Sequence, residues 1–319
     1  MIISIFHLLL CWLGSPLLLG VIQRTKAKLA GRQGPPLLQN YYDLWKLMHK
    51  GAVFSDSTTI LFRLAPGISL ASLLTASLLL PFGQSEAVIS FAGDFILFVA
   101  LLALSRLMMI IAALDTGSAF EGMGASRDII IAMLTEPTLM LTVATLANVA
   151  SKSGFSPTGL EKEFLSLSLF HTAITLETWS QSGIVLLLLL MPLSVILLAE
   201  NARMPFVDPS THLELTMVHE VMVLDHSGPD LGLIQYAQMI KFWLLGSLFI
   251  GLSVPFRTTV PLLDTGIDFI AMIGLAIAIG IIESSSARIR WQHFPQLLIS
   301  AMMLALMAFV LGLEGIIYK

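Results

Sequence analysis

The sequence predicts an all-α polytopic membrane protein of about eight transmembrane helices, with amphipathic helices in two of its connecting loops. Three observations lead there. The 319-residue chain is 56% hydrophobic and only 12% charged, with a mean hydropathy of +0.88, whereas a soluble domain carries about 25% charged residues. Its apolar residues gather in eight runs of roughly 20 residues, the length that crosses a bilayer as a helix. Its polar residues gather between those runs. The net charge of −4 is spread over many loops and suggests no nucleic-acid partner.

The runs lie near Ile2–Ile22, Ile60–Pro81, Phe95–Leu114, Ile129–Ala150, Gly183–Ala199, Ile234–Pro255, Leu262–Ile282 and Phe294–Ile317, and together make one integral-membrane domain over residues 1–319. The first run lacks the leading basic residues of a signal peptide; Arg24, Lys26 and Lys28 follow it instead. That order predicts a retained span with its N-terminus outside. Cys11 lies in this run and is the one cysteine. It reads as a small packing residue and excludes a disulfide framework or a multi-cysteine metal or iron–sulfur site within this chain. The stretch "EFLSLSLFHTAITLETWSQSG" before the short fifth run is an external amphipathic piece or a re-entrant one.

Charge fixes the predicted topology. Most of the 17 Lys and Arg, among them Arg24, Lys26, Lys28, Arg32, Lys46, Lys50, Arg63, Arg127, Arg203, Arg288 and Arg290, fall in alternate loops at about 23–59, 115–128, 200–233 and 283–293. The other side carries only Lys152, Lys162, Arg257 and Lys319, while Arg106 and Lys241 fall inside spans or at their edges. The positive-inside rule makes the basic loops cytoplasmic and puts both termini on the outer side of the cytoplasmic (inner) membrane. No clear internal repeat supports a stand-alone inverted-repeat transporter.

Each cytoplasmic loop carries candidate chemistry. In the first, Gly34-Pro35-Pro36 breaks the chain and starts a helix. Leu37, Leu38, Tyr41, Leu44, Trp45 and Met48 then form an apolar stripe of helical period, with Gln39, Asp43, Lys46 and Lys50 mostly opposite. The pattern is that of an interfacial helix with an aromatic and basic anchor, in which Asp43 and Lys46 are spaced to pair. In the second, Gly117, Gly122 and Gly124 predict a flexible or tight turn, Ser126 a helix cap and Asp128 a first-turn acid. Glu136, followed by Pro137, stands inside the fourth span. A carboxylate there is costly unless paired or hydrated, so it is a candidate for a proton or ion role, with a structural hydrogen bond as the alternative. Arg106 in the third span needs a partner, either Asp115 or an acid from another helix. Glu283 ends the seventh span and either snorkels to the interface or lines a hydrated path.

The third loop, from Glu200 and Arg203 onward, holds "THLELTMVHE" (residues 211–220). A helix is expected to start there with Asp208 or Ser210 as its cap. Asp208, His212, Thr216 and His219 fall on one helical side, and Leu213, Met217, Val221 and Leu224 on the other; Glu214 lies with the apolar group. His212 and His219 are about 10 Å apart along a helix, too far for a single zinc ion with bonds of about 2 Å. A row of titratable groups fits proton relay better than a metal, with a plain solvated face as the alternative.

These segments resemble a known family. Arg32 with Gly34-Pro35, the Leu38-Gln39…Asp43…Lys46-Leu47 helix, "FRLAP" (62–66), "LDTGSAF" (114–120), "GASR" (124–127), Glu136-Pro137, Glu200…Arg203…Pro205-Phe206, Ser227-Gly228 and Glu283…Ala287-Arg288 follow its order and spacing. The chain resembles the H-type membrane-embedded subunit of respiratory complex I and its relatives in group 4 nickel–iron hydrogenases, and more closely the hydrogenase-4 component C or formate hydrogenlyase branch. One departure stands out. Complex I members carry an acidic run after Pro-Phe, but here Val207, Ser210 and His212 replace three acids and Asp208 is shifted by one position, with Glu214 keeping its place. That form is similar to the hydrogenase-like branch and leaves quinone open as a substrate. The resemblance implies a subunit that is no enzyme alone and holds no cofactor. It anchors soluble hydrogenase-like or iron–sulfur subunits, whose clusters and nickel–iron or quinone site lie outside this chain, and links them to antiporter-like membrane subunits. Hydrogenase activity does not follow from this chain. Proton-path candidates are then Arg106, Asp115, Glu136, Glu200, His212, Glu214, His219 and Glu283. Contacts with the peripheral arm or a polar cavity fall to Arg32, Gln39, Asp43, Lys46, Arg127, Arg203 and Asp208. The competing expectations are a stand-alone secondary ion transporter and a passive anchor without a proton path.

Overall fold

The computed structural model describes residues 2–83, 87–152, 166–168, 173–206, 218–256, 258, 260–287 and 289–317. Among these residues ten α-helices follow one another: α1 (Ile2–Leu29), α2 (Gln39–Met48), α3 (Ile60–Leu79), α4 (Asp94–Asp115), α5 (Ala119–Lys152), α6 (Leu176–Glu200), α7 (His219–Met222), α8 (Gly228–Ser253), α9 (Pro261–Ser285) and α10 (Phe294–Ile317), the last preceded by a 3₁₀ turn at Trp291–His293. All except α2 and α7 are long and apolar enough to cross a membrane, which gives the eight spans expected.

The most interior of the eight is α8. Within its most apolar stretch 67% of residues are buried, against 28% to 50% for the other spans. It packs against α1, α2, α3, α6 and α9, while α10 covers α5 and α6. The outward faces carry large apolar side chains such as Met133, Ile184 and Ile270, as expected where the solvent is hydrocarbon. The inward core runs through Leu18, Ile22, Phe98, Leu186, Leu189, Ile240, Phe242 and Met272.

Pro16 lies inside α1 and cannot donate to the carbonyl four residues earlier, that of Trp12. The Tyr236 hydroxyl of α8 donates to that oxygen at 2.9 Å. Asn40 donates to Pro16 O at 2.8 Å, and the Tyr41 hydroxyl donates to Leu13 O. Burial raises the Tyr41 pKa, so the donating phenol is the stable form. Thus α2 is fixed along α1 by hydrogen bonds to a backbone that proline disturbs. It buries Asn40 and turns Leu38, Tyr42 and Trp45 outward. The expected apolar stripe is therefore split: its Leu37–Tyr41–Leu44 side faces the protein and Leu38 and Trp45 do not, while Met48, though partly exposed, lays its methyl against Gly232 of α8. Asp43 accepts from Gln39 at 2.9 Å.

Two boundaries differ from expectation. Helix α5 begins at Ala119, so Gly122, Gly124 and Ser126 are helical, and Ser126 donates to Met123 O instead of capping the span. Gly124 is needed for packing, not turning: a Cβ there would stand 2.9 Å from Val218 O. The piece before the fifth span is in part its first turn. Helix α6 starts after the Thr175 cap and kinks at Ser182.

Candidate functional site

Helices α4, α5, α6 and α8 converge on Arg106. Its Nη1 lies 3.2 Å from Glu136 Oε1, its Nη2 pairs with Glu200 Oε2, and its Nε stands 3.7 Å from Asp128 Oδ2. Lys241 Nζ reaches the same Glu200 Oε2 at 2.7 Å. The Thr135 hydroxyl donates to Glu200 Oε1 at 2.5 Å. Two fixed cations therefore face three carboxylates, all drawn from spans. Charges at this depth persist only when paired, and guanidinium suits the hub because its planar fork can meet several carboxylates at once.

The short α7 closes the cluster. His219 Nε2 lies 3.7 Å from Asp128 Oδ1. Burial holds this imidazole below its ordinary pKa, with Lys241 and Arg106 adding to the effect and Asp128 opposing it. A cavity of about 40 Å³ is lined by Ser69, Ser105, Asp128, His219, Gln238 and Lys241, enough for about two or three waters among polar partners. A second cavity of about 20 Å³ on the other side of Arg106 touches Thr135, Glu136 and Glu200. Glu136 is the more open of the two acids: its side chain is 39% exposed, while that of Glu200 is only 8% exposed.

A second group lies one turn beyond α6. Glu283 of α9 has a fully buried side chain, with Lys26 Nζ of α1 at 2.8 Å and Arg203 Nη1 at 3.3 Å. It does not snorkel. Gly280 makes this possible, because a Cβ there would meet Thr25 Cβ at 2.8 Å, so α1 and α9 touch nearly backbone to backbone. Lys26 is 31% exposed and opens on a cleft of about 660 Å³ lined by Arg32, Gln33, Gly34, Ser284 and Ser285. Arg203 also faces the Phe242 ring, beside Lys241. The charges thus form two groups, Lys26–Glu283–Arg203 at the cleft and Lys241–Glu200–Arg106–Glu136 with Asp128 among the spans.

The structure thus gathers Arg106, Glu136, Glu200, Arg203, His219 and Glu283 from the expected residues. Asp115 is not the partner of Arg106. It accepts from Thr59 N at 2.7 Å and from its hydroxyl at 2.9 Å, joining α3 to α4. Arg127 lies over the Trp291 ring at 5.5 Å. Arg32, Gln39, Asp43 and Lys46 sit around α2, away from the cluster. Asp208, His212 and Glu214 lie outside the described residues. Sequence reasoning missed Thr135, Asp128 as a partner, and Lys241; an ammonium within a span was the available signal for the last. Among the described residues no group of three or more His, Cys, Asp or Glu is placed to hold a metal ion.

A protein-family model described as NADH dehydrogenase matches residues 1–313. The chain belongs to the NADH dehydrogenase family. Within that family it is 29% identical over 302 residues to formate hydrogenlyase subunit 4 of Escherichia coli (strain K12), with 93% of each chain covered. It is 30% identical over 242 residues to hydrogenase-4 component C of the same organism, across 76% of this chain and 71% of that one. A chain of the membrane-bound sulfane sulfur reductase, an archaeal respiratory membrane complex, superposes with a TM-score of 0.78 at 18% identity, covering 97% of this chain and 98% of that one. That likeness shows the fold. The resemblance carried by the Arg32–Pro35, Glu136-Pro137 and Glu200–Phe206 segments is therefore borne out. This family member is a multi-pass membrane protein whose relatives are a subunit and a component of larger enzymes.

Proposed function

We propose that this chain is the membrane-anchoring and coupling subunit of a redox-driven proton- or ion-translocating complex of the complex I and group 4 hydrogenase type. It binds soluble hydrogenase-like or iron–sulfur subunits at its cytoplasmic loops and antiporter-like subunits in the membrane. The observation that carries the reading is the presence of two groups of paired charges, Lys26–Glu283–Arg203 and Lys241–Glu200–Arg106–Glu136, whose members Glu200 and Arg203 stand one short step apart in the sequence. Proton transfer needs titratable groups within reach of one another and of water. Those pairs and the two small cavities beside Arg106 supply both. The relatives' names support membership in a multi-subunit oxidoreductase.

In this reading the termini lie on the outer side of the cytoplasmic (inner) membrane, since most Lys and Arg fall in the loops that follow α1, α4, α6 and α9. Arg32, Gln39, Asp43, Lys46, Arg127, Arg203 and Asp208 meet the peripheral arm or line the polar cavity, and Arg106, Asp115, Glu136, Glu200, His212, Glu214, His219 and Glu283 are the candidates for the proton path. Iron–sulfur clusters, and a nickel–iron site where one is kept, belong to the partners.

The test is purification in mild detergent followed by reconstitution. Soluble redox subunits co-purify, and Glu136→Gln, Glu200→Gln or Glu283→Gln abolishes proton or ion pumping in an assembled complex. A lone, functional protein would instead indicate a stand-alone transporter. Pumping that survives all three substitutions would indicate a passive anchor.

A further inference from the structure

The cations and carboxylates around Arg106 are unevenly matched. Glu200 Oε2 takes two cations at once, Lys241 Nζ at 2.7 Å and Arg106 Nη2. Asp128 is 1% exposed, yet its Oδ2 accepts no hydrogen bond, and its nearest cation is Arg106 Nε at 3.7 Å. Two positive groups on one oxygen repel each other, while a buried carboxylate oxygen short of a donor is costly. Arg106 Nε is likewise unpaired and faces that oxygen, but its fork is held by Glu136 and Glu200, so it stays 3.7 Å away. Lysine can: it is a compact ammonium on a flexible four-carbon stem. Lys241 and Asp128 line the same cavity of about 40 Å³, in which Ser69, Ser105 and Gln238 are further polar groups among apolar neighbours such as Leu73, Met109 and Met222.

We propose that Lys241 is a two-position cation, paired with Glu200 in this structure and moving across the cavity to Asp128 when Glu200 takes up a proton. The inference rests on the coupling role proposed above and names its moving part. A proton joins Glu200, the Lys241–Glu200 pair breaks and the Lys241–Asp128 pair forms. Lys241 remains an ammonium throughout, and Arg106 keeps Glu136. Asp128 also faces His219 on α7, so the second position acts on the chain that follows residues 207–217. Linkage is reciprocal: if a proton on Glu200 shifts that segment, moving the segment shifts the proton affinity of Glu200. Lys241 is thus a positioning residue between a cytoplasmic loop and the intramembrane acids.

The direct test is the structure of the intact complex carrying Glu200→Gln, the neutral mimic of the protonated acid. Lys241 Nζ is expected within hydrogen-bond distance, about 3 Å, of Asp128 Oδ2. Lys241 remaining at residue 200 overturns the inference. Should that complex fail to assemble, Asp128→Asn and Asp128→Glu carry the question in proteoliposomes. Protons moved per electron are expected to be lost in Asp128→Asn and to recover in Asp128→Glu. Pumping unchanged in Asp128→Asn also overturns it. The two levels fail separately. If Glu136→Gln, Glu200→Gln and Glu283→Gln all leave pumping intact, the coupling role itself falls. If they abolish pumping while Asp128→Asn does not, only the movement of Lys241 falls.

Discussion

Arg106→Met removes the cation that organises the cluster. The side chain is 6% exposed and addresses three carboxylates on two other helices. Removing one partner of a buried ion pair costs about 3–5 kcal/mol, because the remaining charge stays desolvated. The loss here is one such cost and not three, for reasons visible in the structure. Glu136 is 39% exposed and can rehydrate, and Glu200 keeps Lys241 and the Thr135 hydroxyl. Asp128 is the acid stranded. The expected destabilisation is therefore about 3–5 kcal/mol, read as a fall in thermal midpoint of the detergent-purified protein. Arg106→Lys should recover only part of it, since one ammonium cannot span Glu136 and Glu200 as a fork does. A cycle with Glu136→Gln should show a coupling of about 0.5–3 kcal/mol between the two sites. An Arg106→Met protein that loses less than about 1 kcal/mol, the size of an exposed pair, would refute the idea that this hub holds α4, α5 and α6 together.

Other consequences are accessible to the same measurements. Thr135→Val keeps shape but removes the donor to Glu200, and should cost about 1.5–3 kcal/mol as a hydrogen bond to a charged group. Gly280→Ala forces a methyl to 2.8 Å from Thr25 Cβ and should destabilise by about 1–3 kcal/mol, with disulfide trapping of cysteines placed on α1 and α9 reporting their separation. Tyr236→Phe leaves the Trp12 carbonyl beside Pro16 without its donor, at a cost of about 1 kcal/mol in the same thermal assay. His226 is buried against Phe62, ring centroids 4.0 Å apart, and burial lowers its pKa from 6.5 to about 4. A depressed folded-state value means the unfolded chain binds the proton first. Stability is thus full above about pH 6.5 and falls as pH drops toward 4. His226→Phe should flatten that part of the profile, and an unchanged profile would show that other groups set it.

What the sequence made legible, and what it did not, divides along one physical line. Apolar length is local, so the eight spans could be read from it; α4, expected at Phe95–Leu114, runs Asp94–Asp115. The cost of burying charge is also local, and it singled out Arg106 and Glu136 as groups that need partners, whereas Glu283, expected to snorkel or to line a hydrated path, is paired with Lys26 and Arg203. Which partner each finds is not local. Asp115 stands nine residues from Arg106 on one helix, about 13 Å along the axis, so helical arithmetic alone argues against that pairing, but nothing in the sequence points to Glu200 and Lys241. The α5 glycines show the same limit. Gly122 and Gly124 read as a turn because glycine frees the backbone, yet Gly124 serves an approach by Val218, distant in the chain. Lys241 follows the same pattern: in the sequence it is a cation at the edge of a span, and only its neighbours, Glu200 in contact and Asp128 on the wall of the same cavity, give it the two places proposed for it.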